Sequence, residues 1–221
     1  MERKEILENG KIVVFQDNEL YTFTSDSILL SKFASVKKGD IVADFCAGSG
    51  IVGLNTYALN SGLIKSLTFF ELQKPLFSLL RKSLEKNDLK SVCTAINCRL
   101  QDIDKRFNEK FSLILCNPPY MKVSAGETNS DKEKAICTSE IELTLAELCL
   151  SFSKHLKFGG RVCLVHRADR LAEVVYELKK NNIEPKRLQM VSAGNKQPYL
   201  FLMEGVKGGK SGLKVLSPVQ N

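Results

Sequence analysis

The chain alternates short apolar runs with longer amphipathic stretches over most of its length. Short apolar runs bounded by glycine, proline or polar residues indicate buried strands, whereas apolar residues at intervals of about three or four indicate helices. The predicted strands are residues 41–45, 67–70, 93–96, 113–116 and 161–166. The predicted helices are residues 51–59, 75–85, 141–155 and 171–180. This alternation is typical of an α/β fold with a doubly wound, mostly parallel sheet.

The N-terminal stretch predicts a small appendage to that sheet. Apolar residues in 11–15 and 20–23 flank a polar segment and indicate a hairpin. A helix is expected over residues 28–34, with Ser25 and Asp26 as its cap.

The C-terminal part of the chain predicts an antiparallel end to the sheet. Residues 187–191 and 199–204 indicate an antiparallel hairpin that ends the sheet, while the polar stretch 122–134 has no periodic pattern and is expected to be a loop. The predicted organisation is an N-terminal hairpin and helix (1–36), a central domain (37–206) and a basic, glycine-rich tail (207–221).

Composition agrees with one globular unit. The chain has 221 residues, of which 43% are hydrophobic and 26% charged, so it can bury a substantial core. It contains no apolar run of about 18 residues, and its charged first residues do not resemble a signal peptide. The seven cysteines lie mostly in apolar runs and show no zinc-ligand spacing. We therefore expect a cytoplasmic monomer with reduced thiols, no membrane segment and no metal.

A glycine-rich segment follows the first predicted strand of the sheet. Residues 46–50 read Cys-Ala-Gly-Ser-Gly and open the helix predicted over 51–59, so free backbone N–H groups can face a ligand there. Asp44 stands near the end of the preceding strand, and Glu71 ends the next apolar run. An acid at the tip of the second strand is placed to accept hydrogen bonds from ribose hydroxyls.

A second motif, Asn117-Pro118-Pro119-Tyr120, follows the strand predicted over 113–116. Consecutive prolines cannot continue a sheet ladder, so the chain must leave the strand in a stiff turn. The amide oxygen and a proline carbonyl can accept both hydrogens of a planar amino group while the aromatic ring stacks beside it. This arrangement suits the exocyclic amine of a nucleobase or a side-chain amide, although an ordinary turn has the same tetrapeptide.

The glycine segment has two functional interpretations. Residues 48–53 match the G-x-G-x-x-G dinucleotide pattern, but the carboxylate of Asp44 would repel a pyrophosphate. S-adenosylmethionine carries a positive α-amino group and a positive sulfonium, which a carboxylate attracts. Together with the Asn117 motif, Asp44 and Glu71 therefore favour an N-methyltransferase over a dehydrogenase. The structural alternatives are a helix cap for Asp44 and a solvated strand end for Glu71.

The formal net charge of +7 is moderate, but the clustering of basic residues points to a phosphate-bearing partner. Basic residues gather in four places: Arg161, His166, Arg167 and Arg170; Lys179 and Lys180; Lys186 and Arg187; and the tail residues Lys207, Lys210 and Lys214. Because glycines punctuate the C-terminal tail, we expect it to form no regular element and to keep its lysines free. The alternative is that these lysines only make the surface soluble.

Taken together, these motifs resemble the class I S-adenosylmethionine-dependent methyltransferases of the Asn-Pro-Pro-Tyr group. More closely, the chain is similar to the bacterial tRNA(Val) adenine-N6-methyltransferases. The resemblance extends over nearly the whole chain, in segments 23–30, 44–50, 70–73, 117–120, 164–170, 184–187 and 207–209. It implies a Rossmann-like methyltransferase sheet, S-adenosyl-L-methionine as cofactor, and N6-methylation of the adenine beside the anticodon in the anticodon loop of a valine tRNA.

The resemblance also implies roles for individual residues. The catalytic residues would be Asn117, Pro118, Pro119 and Tyr120. The cofactor would be held by Asp26, Asp44, Phe45, Cys46, Gly48, Gly50, Glu71, Leu72, Asp102 and Asn117. RNA would be bound by Arg167, Arg170, Lys207, Lys210 and Lys214.

The chain departs from these relatives at two places. Arg99 stands where relatives have an acid after the third strand, so either Asp102 substitutes for that acid or the contact is absent. Residues 137–139 read Cys-Thr-Ser where relatives tend to have Arg-His. Three alternatives stay open: a protein-glutamine methyltransferase, a DNA adenine methyltransferase and a non-catalytic RNA-binding protein. The first usually has a helical N-terminal domain and the second a target-recognition domain, and the chain offers room for neither.

Overall fold

The computed structural model describes residues 2–7, 10, 12–20, 25–118 and 143–221. The strands are β1 (Glu2–Ile6), β2 (Val13–Asp17), β3 (Asp40–Phe45), β4 (Ile64–Glu71), β5 (Cys93–Asn97), β6 (Phe111–Cys116), β7 (Leu156–Arg167), β8 (Ile183–Ser192), β9 (Leu200–Lys207), β10 (Lys214–Val215) and β11 (Val219–Gln220). The helices are α1 (Ser25–Phe33), α2 (Ile51–Leu59), α3 (Lys74–Lys86), α4 (Leu145–His155) and α5 (Leu171–Lys180). The loop predicted over 122–134 and the first residues of the helix predicted over 141–155 lie outside the described residues.

Most of the described strands form one sheet. Their order is β10-β8-β9-β7-β6-β3-β4-β5, and β11 also pairs with β8. Strands β3 to β7 are parallel to one another, whereas β9 runs antiparallel to both β7 and β8. The predicted α/β fold, with its mostly parallel sheet and its antiparallel C-terminal hairpin, is confirmed.

Helices cover both faces of this sheet. Alternate side chains of β6 point to opposite sides: Leu113 and Leu115 pack with α1, α2 and α3, whereas Ile114 and Cys116 pack with α4 and α5. Because both faces are buried, the strand reads as a continuous apolar run rather than as an alternating one. No helix in the described ranges is both long enough and apolar enough to cross a membrane.

A buried ion pair joins the middle of β7 to the amino ends of β3 and β6. Arg161 of β7 donates to both carboxylate oxygens of Asp40 in β3, at 2.8 and 2.6 Å, and Ser112 of β6 donates to the same carboxylate at 2.7 Å. Burial alone would raise the pKa of Asp40, but these bonds and the Lys37 N–H hold it below its ordinary value. Arg161 is therefore a structural residue of the core and does not belong to a basic surface.

The N-terminal hairpin uses strands other than the predicted ones. Strand β2 continues through Gln16 and Asp17, which were predicted as the turn, and it pairs with the upstream strand β1. Most of the second predicted strand, residues 21–23, lies outside the described residues. Charged side chains dominate β1 because most of it is exposed, so it has no apolar pattern. Asn87, the residue that directly follows α3, holds the hairpin by two hydrogen bonds with the backbone of Val13, at 2.9 and 2.7 Å.

Two element boundaries also differ from the predictions. Helix α1 begins at Ser25, so Ser25 and Asp26 form its first turn and do not precede it as a cap. Strand β7 begins directly after α4 and includes Gly159 and Gly160, which were expected to separate the helix from the strand. Gly159 has a φ of +73°, and the pairing of β6 with β7 shifts register in this region. The two glycines thus lie in an irregular part of the strand.

The expectation that the C-terminal tail forms no regular element is wrong. Lys207 is the last residue of β9, and the short strands β10 and β11 both run parallel to β8. Between them, the Leu216 N–H donates to the carbonyl of Leu188 at 2.8 Å. An edge strand leaves backbone groups unpaired, and even a segment without apolar periodicity can bind them.

Candidate active site

The parallel strands bring the predicted functional residues to one edge of the sheet. Asp44 lies near the carboxyl end of β3, Glu71 ends β4, and Asn117 directly follows β6. In register, Phe45 of β3 lies between Phe70 of β4 and the last residue of β6. The chain thus leaves β3 with β4 on one side and β6 on the other. In open α/β sheets, ligands bind beyond the carboxyl ends of the strands, at the point where the strand order reverses, which here is β3.

The turn between β3 and α2 has a backbone that few residues can adopt. Cys46, Gly48 and Gly50 all have positive φ angles, of 56°, 57° and 89°. A Cβ atom on Gly50 would lie 2.4 Å from Cδ1 of Leu80, so the turn also packs too closely on α3 for a side chain there. Glycine removes both obstacles and lets the turn stay next to the strand ends.

Asp44 caps helix α2 from the neighbouring strand. Its Oδ2 accepts a hydrogen bond from the Gly53 N–H at 2.8 Å, and Gly50 at the start of the helix has no side chain to do so. A Cβ atom on Gly53 would lie 2.9 Å from that oxygen and 2.5 Å from the Phe69 ring. The helix-capping alternative for Asp44 is therefore confirmed for one of its two oxygens.

The other oxygen of Asp44 has no partner within the described part of the chain. The side chain is fully buried, and Oδ1 makes no hydrogen bond there. Burial raises the pKa of Asp44 to about 8; the Gly53 N–H opposes this rise, and the nearby Glu71 adds to it. A buried carboxylate oxygen without a partner is unfavourable by about 1–3 kcal/mol or more. This oxygen fits a positively charged or hydrogen-donating ligand group.

Glu71 holds the glycine turn against the end of β4. Its two oxygens accept the N–H groups of Gly48 and Gln73, both at 2.7 Å. Burial nevertheless raises the pKa of Glu71 above its ordinary value. The Leu72 N–H also interacts with this carboxylate, and since a carboxylate has about four acceptor positions, capacity for a ligand hydroxyl remains.

Asn97 is a residue that the sequence did not indicate. Its side-chain amide donates to the carbonyls of Glu71 and Leu72, at 2.7 and 2.8 Å, and thereby fixes the chain where it leaves β4. Its only signal in the sequence is a polar residue at the end of an apolar run. In the same region, Asp102 is exposed in the short 3₁₀ turn Leu100–Asp102 that follows β5.

Asn117 is bound to the first turn of α1. Its Nδ2 atom donates to Oγ of Ser27 at 3.0 Å, and Ser27 itself is only 2% exposed. Asp26, next to Ser27, is also buried. Pro118 follows Asn117 and is buried, while Pro119 and Tyr120 lie outside the described residues. Helix α1 therefore forms part of the candidate site.

Phe45 contributes to the core beneath the site. Its side chain is fully buried and packs against the rings of Phe70, Phe111 and Phe152, with centroids 5.4–6.5 Å apart. A ligand at the strand ends can therefore meet only the backbone of Phe45. Cys46 and Leu72, also predicted to bind the cofactor, are half-buried at the same edge.

The arginines predicted to bind RNA already have acidic partners. Arg167 is exposed at the carboxyl edge and makes two hydrogen bonds with Asp169, at 3.1 and 2.6 Å. Arg170 is buried and pairs with Glu173 at 2.7 Å. Burial first, and then the charge of Arg170, lowers the pKa of His166 to about 4, so that this ring is neutral near pH 7. Of these basic residues, Arg167 is the one that a large partner could reach most directly.

The tail lysines differ in their surroundings. Lys207 donates to Glu109 and to the Leu156 carbonyl, both at 2.9 Å, so the expectation that it is free is wrong. It pairs in register with the first residue of β8, at the amino edge of the sheet, opposite Asn117. Lys210 and Lys214 are exposed.

The described ranges contain free cysteines but no cluster of metal ligands. The six cysteines located there are free thiols, and burial raises the pKa of both Cys93 and Cys149 to about 12. Within those ranges, no three His, Cys, Asp or Glu side chains cluster in a way that could hold a metal ion.

The family of the chain follows from comparison with known proteins. Residues 14–181 match the methyltransferase small domain family. The chain belongs to this family of methyltransferases. The prediction of a methyltransferase enzyme is thereby confirmed, and the site at the strand ends lies within the matched region.

Individual relatives are distant but similar over most of their length. A tRNA1(Val) (adenine(37)-N6)-methyltransferase of Flavobacteriaceae bacterium (strain 3519-10) is 26% identical over 84% of this chain and 83% of its own. A solved Agrobacterium tumefaciens protein described as a predicted O-methyltransferase has a TM-score of 0.68 at 18% identity, over 88% of this chain and 86% of that one. TYW2 of M. jannaschii, solved in complex with AdoMet, has a TM-score of 0.63 at 12% identity, over 93% and 85%. The solved structures share the fold.

Proposed function

We propose that this methyltransferase uses S-adenosyl-L-methionine to methylate N6 of an adenine in tRNA, namely the adenine beside the anticodon of a valine tRNA. The observation that carries the proposal is the position of Asn117 at the carboxyl edge, next to the glycine turn and the acids Asp44 and Glu71. A distant relative named for this activity supports the choice of substrate.

The acids at the edge suit the charged and polar groups of the cofactor. Oδ1 of Asp44 is buried without a partner in the described ranges and would face a positive group, such as the α-amino group. Glu71 would accept the ribose hydroxyls, and Asp102 lies one strand further along the edge, where it could reach the adenine amine. When bound, the cofactor supplies a methyl group activated by its sulfonium.

Asn117 and Pro118 would act on the amine that receives this methyl group. The lone pair of adenine N6 is delocalised into the ring, so the nitrogen is a poor nucleophile. If the Asn117 amide oxygen and the Pro118 carbonyl accept its two hydrogens, a pyramidal nitrogen with a localised lone pair is favoured. The same two acceptors stabilise the positive charge that develops on the nitrogen in the transition state. The proton becomes acidic as that charge forms, so no prior general base is needed.

The RNA must present an unstacked base to this edge. Single-stranded loops allow this at low energetic cost, which is why they are the usual sequence-specific RNA targets. Tyr120 would stack on the extruded adenine. Arg167 at the same edge, together with the exposed Lys210 and Lys214, would contact phosphates.

The test is an Asn117→Ala variant assayed on a valine tRNA transcript. We expect turnover to fall by about 10²–10³-fold, because a positioned group that stabilises transition-state charge is lost, while calorimetric affinity for S-adenosyl-L-methionine stays close to the parent's. Asn108→Ala, which removes an exposed amide from a turn before β6, is the matched control and should keep full turnover. If Asn117→Ala keeps more than half of the parent's turnover at saturating RNA, Asn117 does not act in the transition state.

The substrate is tested separately. Mass spectrometry of nucleosides should detect N6-methyladenosine in the treated transcript, and replacement of the adenine beside the anticodon by guanine should abolish the product. Methylation of a glutamine-containing protein with no change in the transcript would contradict the proposal and favour the protein-glutamine alternative.

A further inference from the structure

We infer that Tyr199 is a stacking residue for the nucleotide that adjoins the adenine receiving the methyl group. The inference rests on the proposed function, because it names a contact that the tRNA makes at the same edge of the sheet. It starts from an exposed aromatic side chain at that edge: Tyr199 is 40% exposed.

Pairing between the strands places Tyr199 beyond the carboxyl ends of the parallel strands. Because β9 runs antiparallel to β7, its first residue, Leu200, pairs with Arg167 at the carboxyl end of β7. Tyr199 directly precedes Leu200. Its carbonyl accepts the Ala168 N–H at 2.9 Å, and its own N–H donates to the carbonyl of Val191 in β8 at 3.0 Å. The backbone of Tyr199 is therefore fixed from both sides.

The hydroxyl of Tyr199 is held as well. Asn221 directly follows β11, and its side-chain amide hydrogen-bonds both to this hydroxyl and to Oγ of Ser25, the first residue of α1. Since the two backbone groups and the hydroxyl are all bound, the exposed surface of Tyr199 belongs mainly to its ring. A ring that is already anchored loses little conformational entropy when a base stacks on it.

This anchor also brings Tyr199 near Asn117. The oxygens of Tyr199 and Ser25 lie within about 6 Å of each other, because each is at hydrogen-bond distance from the same nitrogen of Asn221. Two residues further along α1, Oγ of Ser27 lies 3.0 Å from Nδ2 of Asn117. The Tyr199 hydroxyl is thus on the order of 15 Å from the Asn117 amide. An RNA that extrudes its adenine toward Asn117 brings the adjoining nucleotide to this part of the edge.

Cationic side chains near Tyr199 fit a nucleotide better than an apolar partner. Arg167 is exposed at the end of β7, and Lys196 is exposed in the loop 193–198 that joins β8 to β9. Aromatic rings interleaved with cations are typical of surfaces that bind single-stranded nucleic acid, where the ring stacks on a base and the cations contact phosphates. Asp169 offsets part of the charge of Arg167, so we expect the ring to contribute more than either cation.

The experiment compares Tyr199→Ala with the parent on the valine tRNA transcript. Loss of a base–aromatic stack weakens binding by about fivefold or more, so we expect Kd and KM for the transcript to rise by more than about fivefold. A stack made equally before and during the reaction does not favour the transition state, so kcat should stay within about twofold. Calorimetric affinity for S-adenosyl-L-methionine should also stay within about twofold. A smaller rise in Kd would overturn the inference.

Two control variants separate the ring from its surroundings. Tyr199→Phe loses the contact with Asn221 but keeps the ring, so its Kd for the transcript should stay close to the parent's. If it weakens binding as much as Tyr199→Ala does, the hydroxyl contact explains the effect and the inference is wrong. Tyr176→Ala removes another exposed tyrosine, one in the middle of α5, and should bind the transcript like the parent. An equal loss there would mean that the effect is not specific to the edge.

A fluorescent reporter tests the contact itself. The chain contains no tryptophan, so Tyr199→Trp introduces a single one. Binding of the transcript should quench its fluorescence, and an abasic nucleotide on one side of the reacting adenine should remove the quenching. The same abasic transcript should lose more affinity for the parent than for Tyr199→Ala. Quenching that persists with abasic nucleotides on both sides would contradict the inference.

Failure of the proposed function looks different from failure of this inference. In the first case the parent forms no N6-methyladenosine in the transcript, whatever residue stands at position 199. In the second case the parent methylates the transcript, and Tyr199→Ala binds and methylates it equally well.

Discussion

Asp44→Asn separates the charge of the buried acid from its shape. The amide oxygen of asparagine can still accept the Gly53 N–H, which Asp44 Oδ2 accepts at 2.8 Å, so the cap of α2 is kept. Only the ionisable group is lost. Burial raises the pKa of Asp44 to about 8 from its ordinary 3.8, so the ionised form is strongly disfavoured in the folded protein.

The raised pKa fixes the sign and the size of the expected effect. Because the folded protein binds this proton more tightly than the unfolded chain, stability is lost as the pH rises from about 4 to about 8. Each pKa unit corresponds to about 1.4 kcal/mol in the free energy of unfolding. Since pH 7 lies about three units above the ordinary pKa of Asp44, burial of this group lowers the free energy of unfolding at pH 7 by on the order of 4 kcal/mol. Asp44→Asn does not carry this penalty. We therefore expect the variant to be more stable than the parent at pH 7.

Urea unfolding at pH 5 to 9 measures the difference. The free energy of unfolding of Asp44→Asn should exceed that of the parent by an amount that grows by about 1.4 kcal/mol per pH unit up to pH 8 and then levels off. The exposed Asp88→Asn makes the same chemical change at the surface and controls for loss of a negative charge. A difference independent of pH, or a variant less stable than the parent at pH 8, would refute the reasoning.

The same variant should bind the cofactor less well. Under the proposed function, Asp44 faces a positive group of S-adenosyl-L-methionine, and a charge-assisted hydrogen bond contributes about 1.5–3 kcal/mol. Higher stability with weaker binding is the trade-off expected of an acid kept for function. Calorimetry at pH 7.5 that shows unchanged affinity would exclude Asp44 from the cofactor site.

Two further predictions concern packing and RNA contact. Gly53→Ala should lower the free energy of unfolding by about 1–3 kcal/mol, because its Cβ would lie 2.5 Å from the Phe69 ring; urea unfolding with unchanged stability would show that α2 can shift. Arg167→Ala should weaken tRNA binding more than Lys207→Ala and flatten the dependence of log affinity on log salt by about 0.7, since Arg167 lies at the edge that carries Asn117 and Lys207 at the opposite one. A larger effect of Lys207→Ala in the same titrations would put the RNA on the amino edge.

The parallel strands of the sheet could be predicted from sequence because burial on both faces leaves a continuous apolar run. Strand β6 is such a run, and the described part of its motif, Asn117 and Pro118, follows where the run ends. Once the strands are parallel, their carboxyl ends must lie at one edge, so the meeting of Asp44, Glu71 and Asn117 follows from local patterns. The glycines of the turn between β3 and α2 were evident for a similar reason, since a positive φ strongly selects their residue type.

Contacts between distant segments could not be predicted in this way. Strand β1 is charged and exposed, and the tail strands β10 and β11 are too short for a pattern, so only pairing with β2 and β8 reveals them. The partner of Lys207 is Glu109, which is distant in the chain, and this ion pair means that Lys207 is not the free lysine that the sequence predicted.

The sequence by itself determined the fold class, the central strands and the residues at their ends, because these features depend on periodicity and on residue type at single positions. The order of the strands in the sheet came from the tertiary structure. Tertiary structure decided the environment of those residues. It buried Asp44 without a partner for one oxygen in the described ranges, and it joined Asn117 to Ser27. Burial and hydrogen bonding depend on segments that are distant in the chain, and no local pattern carries that information.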